Sequence, residues 1–235
     1  MQGEQPEQFS PRGFLCSKKN TIPNKKSKTM KSYTFRNQQT FLRCSFKSDG
    51  RWGIPIVRKQ NIDLSNQNFI SFNNTRNNES PMFLDFAVHF FVDDNRFEVV
   101  YNNPEKNLGR LKQYKILLTP DFSLYGEMQP WRRIESTGKS RWCGAYWQSE
   151  GMTVVPTISW STPESFDYAF DGVEKKSYVA VGTIGCKHSK RSFLKGFDAM
   201  CERISPECVI CIGEPFHEME SQPLYVVSYL NTWRF

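Results

Sequence analysis

Six short, unbroken apolar runs recur from residue 86 onward, and they restrict the chain to few architectures. They span residues 86–92, 115–119, 152–158, 178–183, 208–212 and 224–229. Each is rich in β-branched or aromatic residues and bounded by turn formers. Alternating polarity marks a strand with one wet face, whereas continuous apolarity marks a strand buried on both faces. Helix signals fall between the runs. Asn103-Pro104 offers a cap and a favoured first helical residue before Leu108, Leu111 and Tyr114. Residues 131–149 place Trp131, Ile134, Trp142 and Tyr146 on one face, weakened by Gly138 and Gly144. Thr162-Pro163-Glu164 opens a short helix, and Ser189 heads one carrying Phe193, Leu194, Phe197, Cys201 and Ile204. The expected fold class is therefore α/β: a mostly parallel sheet of about five to six strands with crossover helices, doubly wound or a partial barrel.

Charge divides the chain differently. The net charge is +7 over 235 residues. Residues 1–50 hold ten Lys/Arg and three acids, while the remainder holds 21 of each. The basic excess thus belongs to a polar stretch without periodicity, expected to be a disordered tail over 1–50 ahead of a single α/β domain over 51–235. Seven cysteines at irregular spacing do not form a disulfide framework, and no secretory h-region opens the chain. A cytoplasmic setting is expected. No run of about 18 apolar residues is present, so no membrane partner is expected.

Parallel strands deliver their following loops to one rim, and that is where chemistry is sought. The loop after the first run reads His89-Phe-Phe-Val-Asp93-Asp94-Asn95-Arg96-Phe97-Glu98, and the second leads into Pro120-Asp121-Phe122-Ser123. Carboxylates gathered at a rim can hold a divalent cation, magnesium or manganese, or split into an acid and a base. Asp94, Glu98 and Asp121 are the candidate metal ligands and catalytic groups, with Ser123 beside them. Arg96, Arg141 and Trp160 are candidate substrate contacts. Each also has a local reading: Asp93 or Asp94 caps a turn, Glu98 pairs with Arg96, and Asp121 caps the turn after Pro120. His89 sits inside an apolar run and reads as a core histidine. Cys208 and Cys211 share a run and read as core. Cys186 stands at a strand exit ahead of a helix, where a nucleophile would gain from Lys187, although a buried thiol is the plainer reading. Arg132, Arg133, Lys139 and Arg141 interleave with Trp131, Trp142 and Trp147, a pattern that can hold phosphates and stack bases or can pack an ordinary helix surface.

The segments HFFVDDNRFE, NPEKNLGRLKQYKILLTPDFSLY, WCGAYWQSEGMTVVPTISW and FDGVEKKSYVAVGTIGC together resemble the domain-of-unknown-function family numbered 4417, over roughly residues 50–215. The family occurs in bacteria, their phages and other mobile elements. The resemblance implies no activity. It makes Asp94, Arg96, Phe97, Glu98, Pro120, Asp121, Phe122, Ser123 and Trp160 motif positions. Two functions follow as expectations. One is a metal-dependent enzyme acting on a nucleotide or nucleic acid through the strand-end carboxylates. The other is a non-catalytic module binding DNA or a host protein through the Trp/Arg segment and the basic tail.

Overall fold

The computed structural model describes residues 31–233. Strands β1 (Ser48–Asp49) and β2 (Ile54–Pro55) form a small antiparallel pair. Seven further strands are parallel: β3 (Phe69–Ser71), β4 (Ala87–His89), β5 (Ile116–Leu118), β6 (Val154–Val155), β7 (Tyr178–Gly182), β8 (Cys208–Ile212) and β9 (Leu224–Val227). Their order in space follows their order in sequence. The β6 and β7 segments join through a parallel bridge, with Ile158 N–H to the Ala180 carbonyl at 2.8 Å and Ala180 N–H to the Pro156 carbonyl at 2.9 Å. The last strand reaches the first without a ladder. The Tyr225 hydroxyl donates to the Gln67 carbonyl at 2.8 Å, and its ring meets Phe69. A doubly wound sheet reverses its order at a switch point. Sequential order, with the two ends tied together, is a curled partial barrel.

Strand residues alternate between two cores. Phe69, Ala87, Ile116, Leu118, Val155, Ala180, Ile210, Ile212 and Val227 fill the inside. Ile70, Val88, Leu117 and Val154 face outward into one helix-covered cluster, and Val179, Val181, Val209 and Cys211 into another. Both faces are buried from β3 to β8, which is why those runs are unbroken in the sequence, whereas β9 leaves Val226 exposed. Helices α1 (Ser32–Arg36) and α2 (Gln39–Leu42) precede the body. Helices α3 (Asp94–Phe97), α4 (Val99–Asn102) and α5 (Pro104–Leu111) follow β4. After β5, β6 and β7 come α6 (Pro130–Ser149), α7 (Phe166–Ala169) and α8 (Lys190–Ile204), respectively. The expected caps differ: neither Asn103 nor Ser189 makes a side-chain capping bond. The glycines of α6 do not break it. A Cβ on Gly144 would lie 2.6 Å from a Thr119 methyl and 2.7 Å from a Val57 methyl, so a bare backbone lets the helix touch the sheet.

Composition places residues 31–50 in the tail, and the structure gives them α1, α2 and β1. The Arg43 guanidinium lies 3.7 Å from the Trp142 ring centre and 4.1 Å from that of Tyr101, and donates to the Tyr101 carbonyl at 2.7 Å. The rest of the expected tail, residues 1–30, lies outside the described residues. Among the described residues, no helix is long and apolar enough to cross a membrane.

Candidate active site

The carboxyl ends of the parallel strands open onto a cleft of about 960 Å³. It is lined by the loops after β4 through β7, the start of α8, and Tyr229 beyond β9. This is the rim where parallel α/β folds place their functional groups.

Sheet register brings the acidic side chains to defined partners. In the β4–β5 pairing, Ala87 sits opposite Ile116 and Val88 opposite Leu117. The same offset of 29 residues persists into the loops, where Asp94 meets Ser123. The Ser123 hydroxyl donates to Asp94 at 2.9 Å, and its N–H points at the two carboxylate oxygens at 3.2 and 3.3 Å. A second pairing is built between the β5 and β6 loops. The Thr157 N–H donates to the Thr119 hydroxyl at 2.8 Å, the Thr157 hydroxyl returns to the Thr119 carbonyl at 2.6 Å, and Thr119 contacts Ser140 of α6 at 2.9 Å. Two residues further along each chain, the Ser159 hydroxyl donates to Asp121. Three successive loops are therefore stitched by two serine–carboxylate bonds.

Burial pushes the Asp121 carboxyl up to about 6, and the charge of Asp94 adds to the rise, while the Ser159 hydrogen bond opposes it. Burial and the same Asp121 charge also raise the Cys186 thiol, which lines the cleft and donates weakly to the Gly182 and Ile184 carbonyls. A raised thiol is the opposite of an activated nucleophile. The cleft wall is aromatic: Phe91, Phe122, Tyr125, Trp160, Phe193 and Tyr229 all contribute. Trp160 packs on Phe193 at 5.0 Å between ring centres.

The expected site residues divide sharply. Asp94, Asp121, Ser123 and Trp160 line the cleft together. Glu98 does not. It follows α3, one helical turn past Asp94, and is exposed outside the cleft. Among the described residues, no group of three His, Cys, Asp or Glu side chains converges, so the triad of Asp94, Glu98 and Asp121 is not assembled as a metal centre. Asp94 and Asp121 remain as the two carboxylates available to a cation. Arg96 points to solvent and pairs with Asp93 at 3.6 Å. Arg141 is buried, and its guanidinium is used by the Thr157, Ala169 and Asp171 carbonyls at 2.7, 2.9 and 3.2 Å. Burial lowers its pKa to about 10. It fastens the β6 exit to the end of α7. The Trp/Arg segment is likewise mostly interior: Arg133, Trp142 and Trp147 are buried, leaving Trp131 and Arg132 outside.

His89 is fully buried within the barrel. Its Nδ1 accepts the Phe91 N–H at 3.3 Å, and Nε2 has no partner within the described residues. Desolvation lowers its pKa to about 3. Sequence reasoning passed over Ser159, whose run reads Ser-Trp-Ser without any hint of which hydroxyl faces an acid. The Thr119–Thr157 contact, shifted one residue from the β5–β6 register, is what places it.

A family model described as a domain of unknown function, DUF4417, matches residues 46–230. The chain belongs to that family. It is 38% identical over 195 residues to the Gene 1 protein of Mycobacterium phage L5, covering 82% of this chain and 84% of the relative. It is 37% identical over 175 residues to the Gene 1 protein of Mycobacterium phage D29, covering 73% of this chain and 64% of the relative. No solved structure matches. The DUF4417 model includes both carboxylate loops and ends beyond β9, so the cleft lies wholly within the family's shared segment.

Proposed function

We propose that this phage-type DUF4417 protein is an enzyme that moves a proton on a small substrate held in the rim cleft. Asp121 is the group that exchanges the proton, because burial, with the charge of Asp94 adding to it, raises its pKa to about 6. The supporting observation is the placement of the two acids. Both line one aromatic-walled cleft, and burial with the charge of Asp94 raises the affinity of Asp121 for a proton. A carboxyl poised near 6 can give or take a proton at working pH. Ser123 holds Asp94, and Ser159 holds Asp121.

A nucleobase fits this reading better than a phosphate does. The aromatic walls can stack a base, and carboxylates accept its N–H groups. Arg96 and Arg141, the expected phosphate contacts, both lie elsewhere. Magnesium or manganese could enter through Asp94 and Asp121, because magnesium is often held by one or two carboxylates and substrate.

The test is turnover of a nucleobase, nucleoside and small-metabolite mixture followed by chromatography coupled to mass spectrometry, which separates isomers of equal mass, with and without added magnesium or manganese. The proposal expects depletion by the wild-type protein, a pH profile with an inflection near 6, and loss of turnover in Asp121→Asn. Turnover that survives in Asp121→Asn overturns the assignment.

A further inference from the structure

We infer that the rim cleft selects an organic cation, a ligand presenting an amidinium, guanidinium or alkylammonium group. The inference rests on reading the cleft as the substrate site, and it names the ligand's charge.

Two independent features of the cleft favour positive charge. Its acidic lining residues are three: Asp94 and Asp121, together with Asp93, which is already paired with Arg96. Among the described residues, no Lys, Arg or His lines the cleft. The ammonium groups around it are engaged elsewhere: Lys139, 5.7 Å from the centre of the Phe122 ring, is paired with Glu135 at 3.1 Å, and Lys187 and Lys190, beside the β7 loop, are paired with Glu214 at 3.4 Å and Glu218 at 2.9 Å. The second feature is the wall material. Phe91, Trp160, Phe193 and Tyr229 line the cleft together with the carboxylates, and aromatic π faces carry partial negative charge and attract cations. Carboxylates and aromatic faces act in the same sense, and a low-dielectric aromatic wall strengthens the attraction of a charge placed between them. An anion in the same place meets repulsion from both. The cleft is far larger than a monatomic ion requires, so the fitting ligand carries its charge on an organic body.

Gly196 supports the wall. A Cβ there would come within 2.1 Å of the Trp160 indole nitrogen, so only glycine lets α8 accept the ring edge and keep Trp160 at the cleft.

The experiment is calorimetric titration of the full chain at pH 7.5 with benzamidinium, its neutral analogue benzamide, and adenosine monophosphate. Benzamidinium is expected to bind at least about tenfold tighter than benzamide, with the nucleotide weaker than either. That preference is expected to shrink to within about threefold in Asp94→Asn and in Asp121→Asn, and to persist in Glu98→Gln, which removes a charge outside the cleft. Equal binding of the charged and neutral probes, tighter binding of the nucleotide, no binding of any probe, or a preference unchanged in both aspartate variants overturns the inference. Its failure is separable from that of the proton-transfer reading. If Asp121 titrates like an ordinary carboxylate, proton transfer near neutrality loses its basis, while two ionised acids would still select a cation.

Discussion

Ser159 donates its hydroxyl proton to Asp121, and a Thr119–Thr157 pair two residues earlier locks both side chains to the ends of adjacent parallel strands. The consequence for Asp121 is a carboxyl that is oriented but poorly solvated. Its pKa rises from 3.8 to about 6 because burial and Asp94 together outweigh the serine.

That rise has a stability cost of definite sign. The folded state binds the Asp121 proton more tightly than the unfolded state does. The stabilising contribution is therefore full below pH 3.8 and is lost as pH rises through 6. Asp121→Asn removes the buried charge and keeps an acceptor for Ser159. It is expected to be more stable than the wild type at pH 8 by about 1–3 kcal/mol, with the advantage vanishing near pH 4. Urea unfolding at several pH values measures this.

His89 acts in the opposite direction. Its pKa falls from 6.5 to about 3 on burial, so the unfolded chain takes up a proton that the folded one refuses. Stability is lost as pH drops from about 6.5 toward 3, by roughly 3–5 kcal/mol from this residue. His89→Asn retains an acceptor for the Phe91 N–H and does not titrate. Its unfolding free energy is expected to change less between pH 7 and 4 than that of the wild type, whatever its absolute stability.

Gly196→Ala tests the cleft wall. The added methyl would overlap Trp160, and the ring must swing away from α8 toward the cleft. A change in tryptophan emission and weakened benzamidinium binding are expected, with a destabilisation of about 1–3 kcal/mol from overpacking. Wild-type emission and unchanged binding would mean that Trp160 does not form the wall.

The arginines make a contrast that separates fold from site. Arg141→Met leaves three buried carbonyls without their donor and is expected to cost about 3–5 kcal/mol. Arg96→Ala removes an exposed pair with Asp93 and is expected to change stability by less than about 0.5 kcal/mol. Thermal or chemical unfolding compares them directly.

Much of the barrel can be read from the sequence because strands buried on two faces leave unbroken apolar runs, and all six runs contain a strand. The first barrel strand, Phe69–Ser71, escapes because it is three residues long and sits in an Asn-rich stretch that reads as lead-in. Asp94 and Asp121 are legible as acids at strand exits, where parallel topology sends them to one rim. Glu98 is not separable from Asp94 by sequence, since a short helical turn between them decides which one faces the cleft. Arg141 misleads for a related reason. Its position in a Trp-rich helix gives charge and neighbours but not direction, and inward rotation turns a candidate phosphate contact into a backbone clamp. Ser159 becomes visible only in the structure, because the contacts past β5 and β6 slip one residue from the strand register.

The central claim is that two rim carboxylates share one field, and the direct measurement is the titration of Asp121 by carboxyl carbon-13 NMR in wild type and in Asp94→Asn. The account predicts a midpoint near 6 in the wild type, shifted downward when the Asp94 charge is removed. A midpoint near 3.8, or one indifferent to Asp94, would contradict it.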